Sequence, residues 1–198
     1  MINDLVRRTR TVRRFQEKKQ LDPALVLDLI DLARLGGSAR NGQVLRYMVV
    51  TDENLCGQLF PLLGWAGYLR DWPGPAPGER PPAYIVCMLD LEALRGAETE
   101  AHFDLGIATQ NLLLGAAEQG LFGCRIGAFS PSVVHRLFEL DDRFKVLLVL
   151  ALGYPAESVV LEEVGPDGDI RYWHDDQGVH HVPKRRLADI LIEPPVRA

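Results

Sequence analysis

The sequence contains few cysteines, and no two of them lie close together. Only three occur in its 198 residues: Cys56, Cys87 and Cys124. Their odd number and wide spacing fit neither a disulfide framework nor a CxxC pair. A reducing compartment suits such a chain, so we expect a cytoplasmic protein.

Long hydrophobic runs are also absent. The longest covers only residues 146–152, and the start, MINDLVRRTR, lacks the apolar core of a signal peptide. We therefore expect neither a membrane segment nor export by a classical signal. With 47% hydrophobic and 25% charged residues, the composition is typical of a globular protein. The length favours a single domain over residues 1–198.

Several common catalytic and nucleotide-binding motifs are missing. No Walker A, GxSxG or HExxH sequence occurs. The segment GLFGCRIG is rich in glycine, but its glycines at 120, 123 and 127 do not have the GxGxxG spacing of a dinucleotide-binding fold. Function must therefore be inferred from combinations of weaker features.

Arginine is concentrated near the N-terminus of a chain whose net charge is −5. Five arginines lie within residues 7–14. A nucleic-acid-binding arm would explain them, but a pI of about 5.5 argues against it. A solvated helix face is a second explanation. The third is a phosphate site, for which Arg10, Thr11 and Arg13 provide two guanidiniums and a hydroxyl.

Hydrophobic periodicity and capping residues predict a mixture of helices and strands. The long helix at 101–120 is apolar nearly all round, which indicates burial in the core or at a subunit interface. Helices and strands do not alternate strictly, so we predict an α+β fold. The predicted elements are helices at 22–36, 53–62, 101–120 and 130–140, strands at 46–51, 83–90 and 145–153, an irregular loop at 64–82 and a turn at 175–178.

Three histidines near the C-terminus suggest a metal site at first sight. His174, His180 and His181 accompany Asp175 and Asp176. A hairpin turn explains the aspartates, and adjacent histidines in a strand point to opposite faces. No established ligand spacing is present, so we predict no metal.

Four stretches, in order along the chain, resemble the FMN-dependent nitroreductase family: RTVRRF, GGSARNGQ, NLLLGAAEQGLFGCRIGAF and VPKRRL. The resemblance implies a nitroreductase-like α+β fold with a small, mostly antiparallel sheet flanked by helices. It also implies a homodimer with FMN at the subunit interface. Residues 1–153 would form the core, and 154–198 an extended C-terminal arm exchanged between subunits.

The resemblance assigns the basic residues to FMN. Arg10 and Thr11 would hold its phosphate, while Arg13 would approach N1 and the C2 carbonyl of the flavin. A fixed cation there would stabilise the negative charge of the reduced ring. The C-terminal arm would return further basic groups to the phosphate, with the choice left open between Lys184, Arg185 and Arg186.

Two further segments match the family's flavin contacts. In GGSARNGQ the matching residues are Ser38, Asn41 and Gln43, although the segment taken alone favours a helix end followed by a polar turn without a ligand. In RIGAF, Ile126 and Gly127 stand where the family crosses the flavin. We expect the Gly127 amide to approach N5.

By this resemblance, the protein is an oxidoreductase that uses NAD(P)H to reduce nitroaromatic, quinone or similar electron-poor acceptors by ping-pong hydride transfer. No catalytic side chain is required, because the flavin supplies the reactivity. The expected partners are a second copy of the chain, NAD(P)H and a small acceptor, without nucleic acid or membrane. Two alternatives stay open: an FMN-binding module without turnover, and a nucleic-acid-binding protein.

Overall fold

Helix starts are fixed by residues that cap or pre-form the first turn. In the computed structural model, which describes residues 1–69 and 71–194, helix α1 spans Ile2–Arg8 and helix α2 spans Pro23–Arg34. The Asp22 carboxylate accepts a hydrogen bond from the Ala24 amide at 2.9 Å. In the same way, the Asp52 carboxylate accepts a hydrogen bond from the Leu55 amide at 2.9 Å at the start of α3, which spans Glu53–Leu59. Short 3-10 turns follow at Ala39–Asn41 and Phe60–Leu62.

The central part of the chain forms four strands and two helices: β1 (Leu45–Val50), β2 (Ala83–Asp90), α4 (Glu98–Glu118), β3 (Phe122–Ile126), α5 (Pro131–Leu137) and β4 (Phe144–Gly153). The four strands are antiparallel and form the central sheet in the order β1-β2-β4-β3. Strand β2 is buried at every residue, and its side chains alternate between two cores. On one face Ile85 and Cys87 pack with α2 and α4, and on the other Tyr84 and Val86 pack with α3 and α5. The α+β prediction is confirmed.

The C-terminal segment forms strands β5 (Val159–Glu163), β6 (Trp173–His174) and β7 (His180–Lys184), followed by helix α6 (Leu187–Ile190). The three strands make a second sheet in the order β5-β7-β6. The Asp175 carboxylate accepts hydrogen bonds from the Gln177 and Val179 amides, which builds the predicted turn between β6 and β7. The extended arm and its exchange between subunits stay predictions.

The N-terminal segment runs between the two sheets. Thr9 follows directly after helix α1, and its hydroxyl donates to the Leu5 carbonyl at 2.6 Å. Thr11 then bridges to Gly123 of β3, and Phe15 bridges to Pro155 at the start of the C-terminal segment. Arg10 and Arg13 are thereby placed where both ends of the chain meet. Within residues 1–69 and 71–194, no helix is long and apolar enough to cross a membrane.

Helix α4 is only partly covered by its own chain. Leu112 and Ala116 are fully buried, whereas Phe103 is 73% exposed and Ile107 is 45% exposed. The sequence predicted burial in the core or at a subunit interface. One face lies in the core, and the other presents two large apolar side chains to solvent.

Candidate functional site

The two basic segments of the chain meet at one cavity of about 350 Å³. The N-terminal segment provides Arg10, Thr11 and Arg13, and β7 provides Lys184. The strand pairing of β5 with β7 and the bridge from Phe15 to Pro155 bring these distant segments together. The remaining lining residues are Thr9, Gln110, Leu113, Arg125, Tyr172, His180 and Val182.

The cavity wall is strongly positive. Among the described residues that line it, four carry a basic side chain and none carries a carboxylate. The Nε atoms of Arg10 and Arg13 are buried without a hydrogen-bond partner. Burial lowers the pKa of Arg10 and of Arg125, which reflects the cost of desolvating their charges. A phosphate dianion would offset that cost and accept the free donors, so the residues fit the phosphate of FMN.

Arg13 is held from three directions. Its Nη1 lies 3.2 Å from Nε2 of His180, and its guanidinium carbon lies 4.6 Å from the ring centroid of Tyr172. Its backbone amide donates to the Glu157 carboxylate. The Arg14 amide donates to the same oxygen at 3.1 Å. The C-terminal segment therefore fixes both the backbone and the side chain of Arg13.

The histidines divide between the two faces of β7, as predicted. His181 stacks on Trp173 and contacts the Glu162 and Asp175 carboxylates. His180 is only 1% exposed, and its Nδ1 lies 3.0 Å from Nε2 of His174.

A carboxylate completes this buried group. Glu157 Oε2 lies 3.6 Å from the same His174 nitrogen. One ligand atom each from Glu157, His174 and His180 thus lies within 4.8 Å of the others, a grouping that the spacing of the residues did not predict. Burial and the nearby Arg13 lower the pKa of His180 to about 4. Burial also lowers the pKa of His174.

The three C-terminal basic residues differ in position. Lys184 lines the cavity. Arg186 is turned toward Asp189, with Nε and Nη2 each 3.0 Å from a carboxylate oxygen. Arg185 is exposed and is not part of the cavity wall. Of the three candidates, the structure therefore brings only Lys184 to Arg10 and Arg13.

The polar loop after α2 borders a different cavity, of about 290 Å³. Ser38 and Gln43 line it, and the Gln43 amide donates to the Ser38 hydroxyl at 3.2 Å. Asn41 contacts the Gln43 side chain at 3.2 Å but does not line the cavity. Arg40, Asn41 and Gln43 all have left-handed backbones, with φ of 52°, 54° and 47°. Such conformations in non-glycine residues cluster at functional sites.

Ile126 and Gly127 line neither cavity. Ile126 as a whole is only 3% exposed, and its side chain packs in the core. Gly127 is exposed at the end of β3, with open space where a side chain would be. The next residue, Ala128, accepts a hydrogen bond from the Gly64 amide at 2.6 Å. The long loop therefore begins beside the segment that the resemblance assigns to the flavin.

Two polar lining residues, Arg125 and Gln110, were missed by the sequence analysis. The Arg125 Nη2 donates to the Gln110 side-chain oxygen at 2.5 Å. Strand alternation carried the signal for Arg125, because its neighbours Cys124 and Ile126 are both buried apolar residues. Gln110 gave no such signal, since it lies within a long apolar helix and its role depends on where β3 passes.

Residues 76–154 match the sequence model of the Nitroreductase family. A Methanothermobacter thermautotrophicus protein with the provisional name NADH dehydrogenase/NAD(P)H nitroreductase is 26% identical over 160 residues, covering 78% of each chain.

Solved structures show the same fold. A provisionally named nitroreductase of Desulfovibrio desulfuricans, in complex with FMN, superposes with a TM-score of 0.73 at 22% identity, covering 99% of this chain and 98% of that one. A nitroreductase family protein of Streptococcus pneumoniae gives 0.71 at 19% identity, covering 98% and 100%. The resemblance found in four sequence motifs is thus confirmed at the level of the fold: the chain has the same fold as these nitroreductase structures.

Proposed function

We propose that the protein is an FMN-dependent oxidoreductase that takes reducing equivalents from NAD(P)H and passes them to a small electron-poor acceptor. A nitroaromatic or a quinone fits that description. The observation that carries the proposal is the convergence of Arg10, Arg13 and Lys184 on one cavity without a lining carboxylate. A relative named NAD(P)H nitroreductase and a similar fold in complex with FMN support the choice of cofactor and reductant.

In this proposal the cavity holds the phosphate end of FMN. The guanidiniums of Arg10 and Arg13, the Thr11 hydroxyl and the Lys184 ammonium would donate to its oxygens or neutralise its charge. Arg13 contacts His180 and Tyr172 of the C-terminal segment. In this proposal it would be the basic residue nearest the ring. A cation beside the ring stabilises the negative charge that reduction places there.

The second cavity would contribute to the same site through a homodimer. Helix α4 forms part of both walls, with Gln110 and Leu113 at the first cavity and Asp104 and Ala108 at the second. Around the helix, Phe103 and Ile107 lie between these two pairs and present an apolar face to solvent. Pairing of two copies across this face would bring Ser38 and Gln43 of one copy toward the basic cavity of the other.

Each copy would be a single domain, 1–153 with its C-terminal segment 154–198. When bound, FMN supplies the ability to accept and donate a hydride. The chain's own residues bind the phosphate, orient the ring and control access, and no acid or base side chain is assigned to the chemistry. NAD(P)H and the acceptor would occupy one place in turn, which is the basis of ping-pong kinetics.

The proposal is tested by the absorption spectrum of the purified protein with FMN, before and after NADH or NADPH is added without oxygen. We expect protein-bound flavin bands that bleach on addition of the nicotinamide and return with a nitroaromatic or quinone. A protein that retains no FMN contradicts the proposal. Bound flavin that stays yellow supports a binding module without turnover.

A further inference from the structure

The side chain of Arg13 contacts two uncharged partners from the C-terminal segment. His180 Nε2 lies 3.2 Å from its Nη1, and the Tyr172 ring lies beneath its guanidinium carbon at 4.6 Å. Among the residues that the structure describes, no carboxylate lies within ion-pair distance of this guanidinium. Arg13 is therefore oriented without being neutralised by a contacting acid.

The Arg13 contact fixes the tautomer of His180. A guanidinium only donates hydrogen bonds, so Nε2 of His180 must be the acceptor and its proton must lie on Nδ1. That Nδ1 lies 3.0 Å from Nε2 of His174. His174 must then accept at Nε2 and carry its own proton on Nδ1. The result is a directed chain of donors from Arg13 through His180 to His174.

Glu157 holds the backbone of the segment that carries Arg13. One of its oxygens accepts from the backbone amides of Arg13 and Arg14. Its side chain is only 2% exposed. That oxygen is thus committed to the backbone of the arginine segment, while the other lies 3.6 Å from Nε2 of His174, beyond hydrogen-bond distance.

We propose that His180 is a positioning residue: it holds Arg13 toward the basic cavity as an uncharged acceptor, and His174 fixes its tautomer. An acidic residue in the same place would orient Arg13 equally well but would cancel the charge that an anionic ligand needs. A neutral imidazole avoids that loss. The identity of the ligand as FMN rests on the proposed function; the positioning of Arg13 does not.

A metal ion is the alternative use of this cluster, since Glu157, His174 and His180 offer three ligand atoms. Coordination through Nδ1 of His180 would move the ring proton to Nε2, where it would face an Arg13 donor. The Arg13 contact and metal binding are therefore mutually exclusive. This conflict favours the hydrogen-bonded chain.

The first test needs no flavin. Long-range ¹H–¹⁵N NMR of the histidine rings at pH 7.5 should show His180 and His174 as Nδ1–H tautomers. In the Arg13→Ala variant, the His180 ring should no longer be restricted to the Nδ1–H tautomer. Equimolar Zn²⁺ should leave both rings unchanged in the wild-type protein. An Nε2–H tautomer of His180 in the wild-type protein, or a Zn²⁺-induced shift of both rings, overturns the proposal.

The second test compares two replacements of similar size. His180→Gln retains an uncharged acceptor for Arg13, whereas His180→Phe removes it. We expect FMN affinity to fall about 10-fold or more in His180→Phe, the loss of one hydrogen bond to a charged group, and to stay within about 3-fold of wild type in His180→Gln. If the two variants are folded, have similar thermal stability and bind FMN with equal affinity, the positioning role is contradicted. If the wild-type protein binds no FMN, the proposed function fails, while the tautomer result still decides this inference.

Discussion

The arginines near the N-terminus show how surroundings decide the role of a residue. Arg7 lies exposed in the last turn of α1. Arg10 and Arg13, a few residues later, line a cavity and bury Nε atoms that have no partner. The sequence suggested the phosphate role for Arg10 and Arg13, with a solvated helix face as an alternative explanation for the run. Arg7 fits that second explanation.

Replacing Arg10 and Arg13 together by alanine should weaken FMN binding by several kcal/mol. Each hydrogen bond to a charged group contributes about 1.5–3 kcal/mol. The measurement is quenching of flavin fluorescence during titration. Arg7→Ala, from the same run but outside the cavity wall, is the matched control and should bind FMN as the wild-type protein does. Unchanged binding by the double variant would refute the assignment.

The buried His180 should make the protein less stable in acid. An unfolded histidine titrates near pH 6.5, and burial together with Arg13 lowers the folded pKa of His180 to about 4. The unfolded state therefore binds more protons between these values, so this group's contribution is complete above pH 6.5 and is lost as pH falls toward 4. His181 has a raised pKa, mainly through Glu162, and acts in the opposite direction.

Urea unfolding at pH 7.5 and pH 5.0 measures this effect. The free energy of unfolding of the wild-type protein should be lower at pH 5.0 than at pH 7.5. The decrease should be smaller in His180→Gln, because glutamine is not protonated in this pH range. An identical fall in both proteins would mean that His180 is not the responsible group.

At the scale of elements, local signals predicted most of the fold. Asp22 with Pro23 predicted the start of α2, and the apolar run at 83–90 coincides with β2. The exposed face of α4 was not predicted, because a helix that is apolar nearly all round does not indicate which side its own chain covers. The contact of His180 with Arg13 was also missed, since it depends on how the C-terminal sheet folds back.

The placement of β7 and α6 predicts which C-terminal cation acts on the phosphate. Lys184 faces the cavity, whereas the ion pair with Asp189 holds Arg186 away from it. Lys184→Ala should therefore weaken FMN binding more than Arg186→Ala does, by at least about 10-fold, as loss of one charged hydrogen bond implies. Titration of both variants checks this order, and the reverse order would assign the phosphate contact to Arg186.

At the scale of the whole molecule, the site should be complete only in the dimer. Phe103→Glu places a charge on the exposed apolar face of α4 and removes a large side chain, whose burial contributes about 1.5–3 kcal/mol. We expect the variant to sediment as a monomer and to lose FMN, with the wild-type protein dimeric.

The matched control is Leu27→Glu on α2, which is also an exposed apolar residue and lines neither cavity. It should stay dimeric and retain FMN. If Phe103→Glu remains a dimer, or if the wild-type protein is a monomer that binds FMN fully, the proposed interface on α4 is wrong.

Basic groups from distant segments of the chain are proposed to recognise one phosphate. Riboflavin is FMN without that phosphate, so the ratio of the two affinities isolates this recognition. Fluorescence titration of the wild-type protein should give FMN an advantage of about 100-fold or more, as expected for two or more charged hydrogen bonds, and Arg10→Ala/Arg13→Ala should abolish most of that advantage. Equal affinity of the wild-type protein for riboflavin and FMN would contradict the central claim.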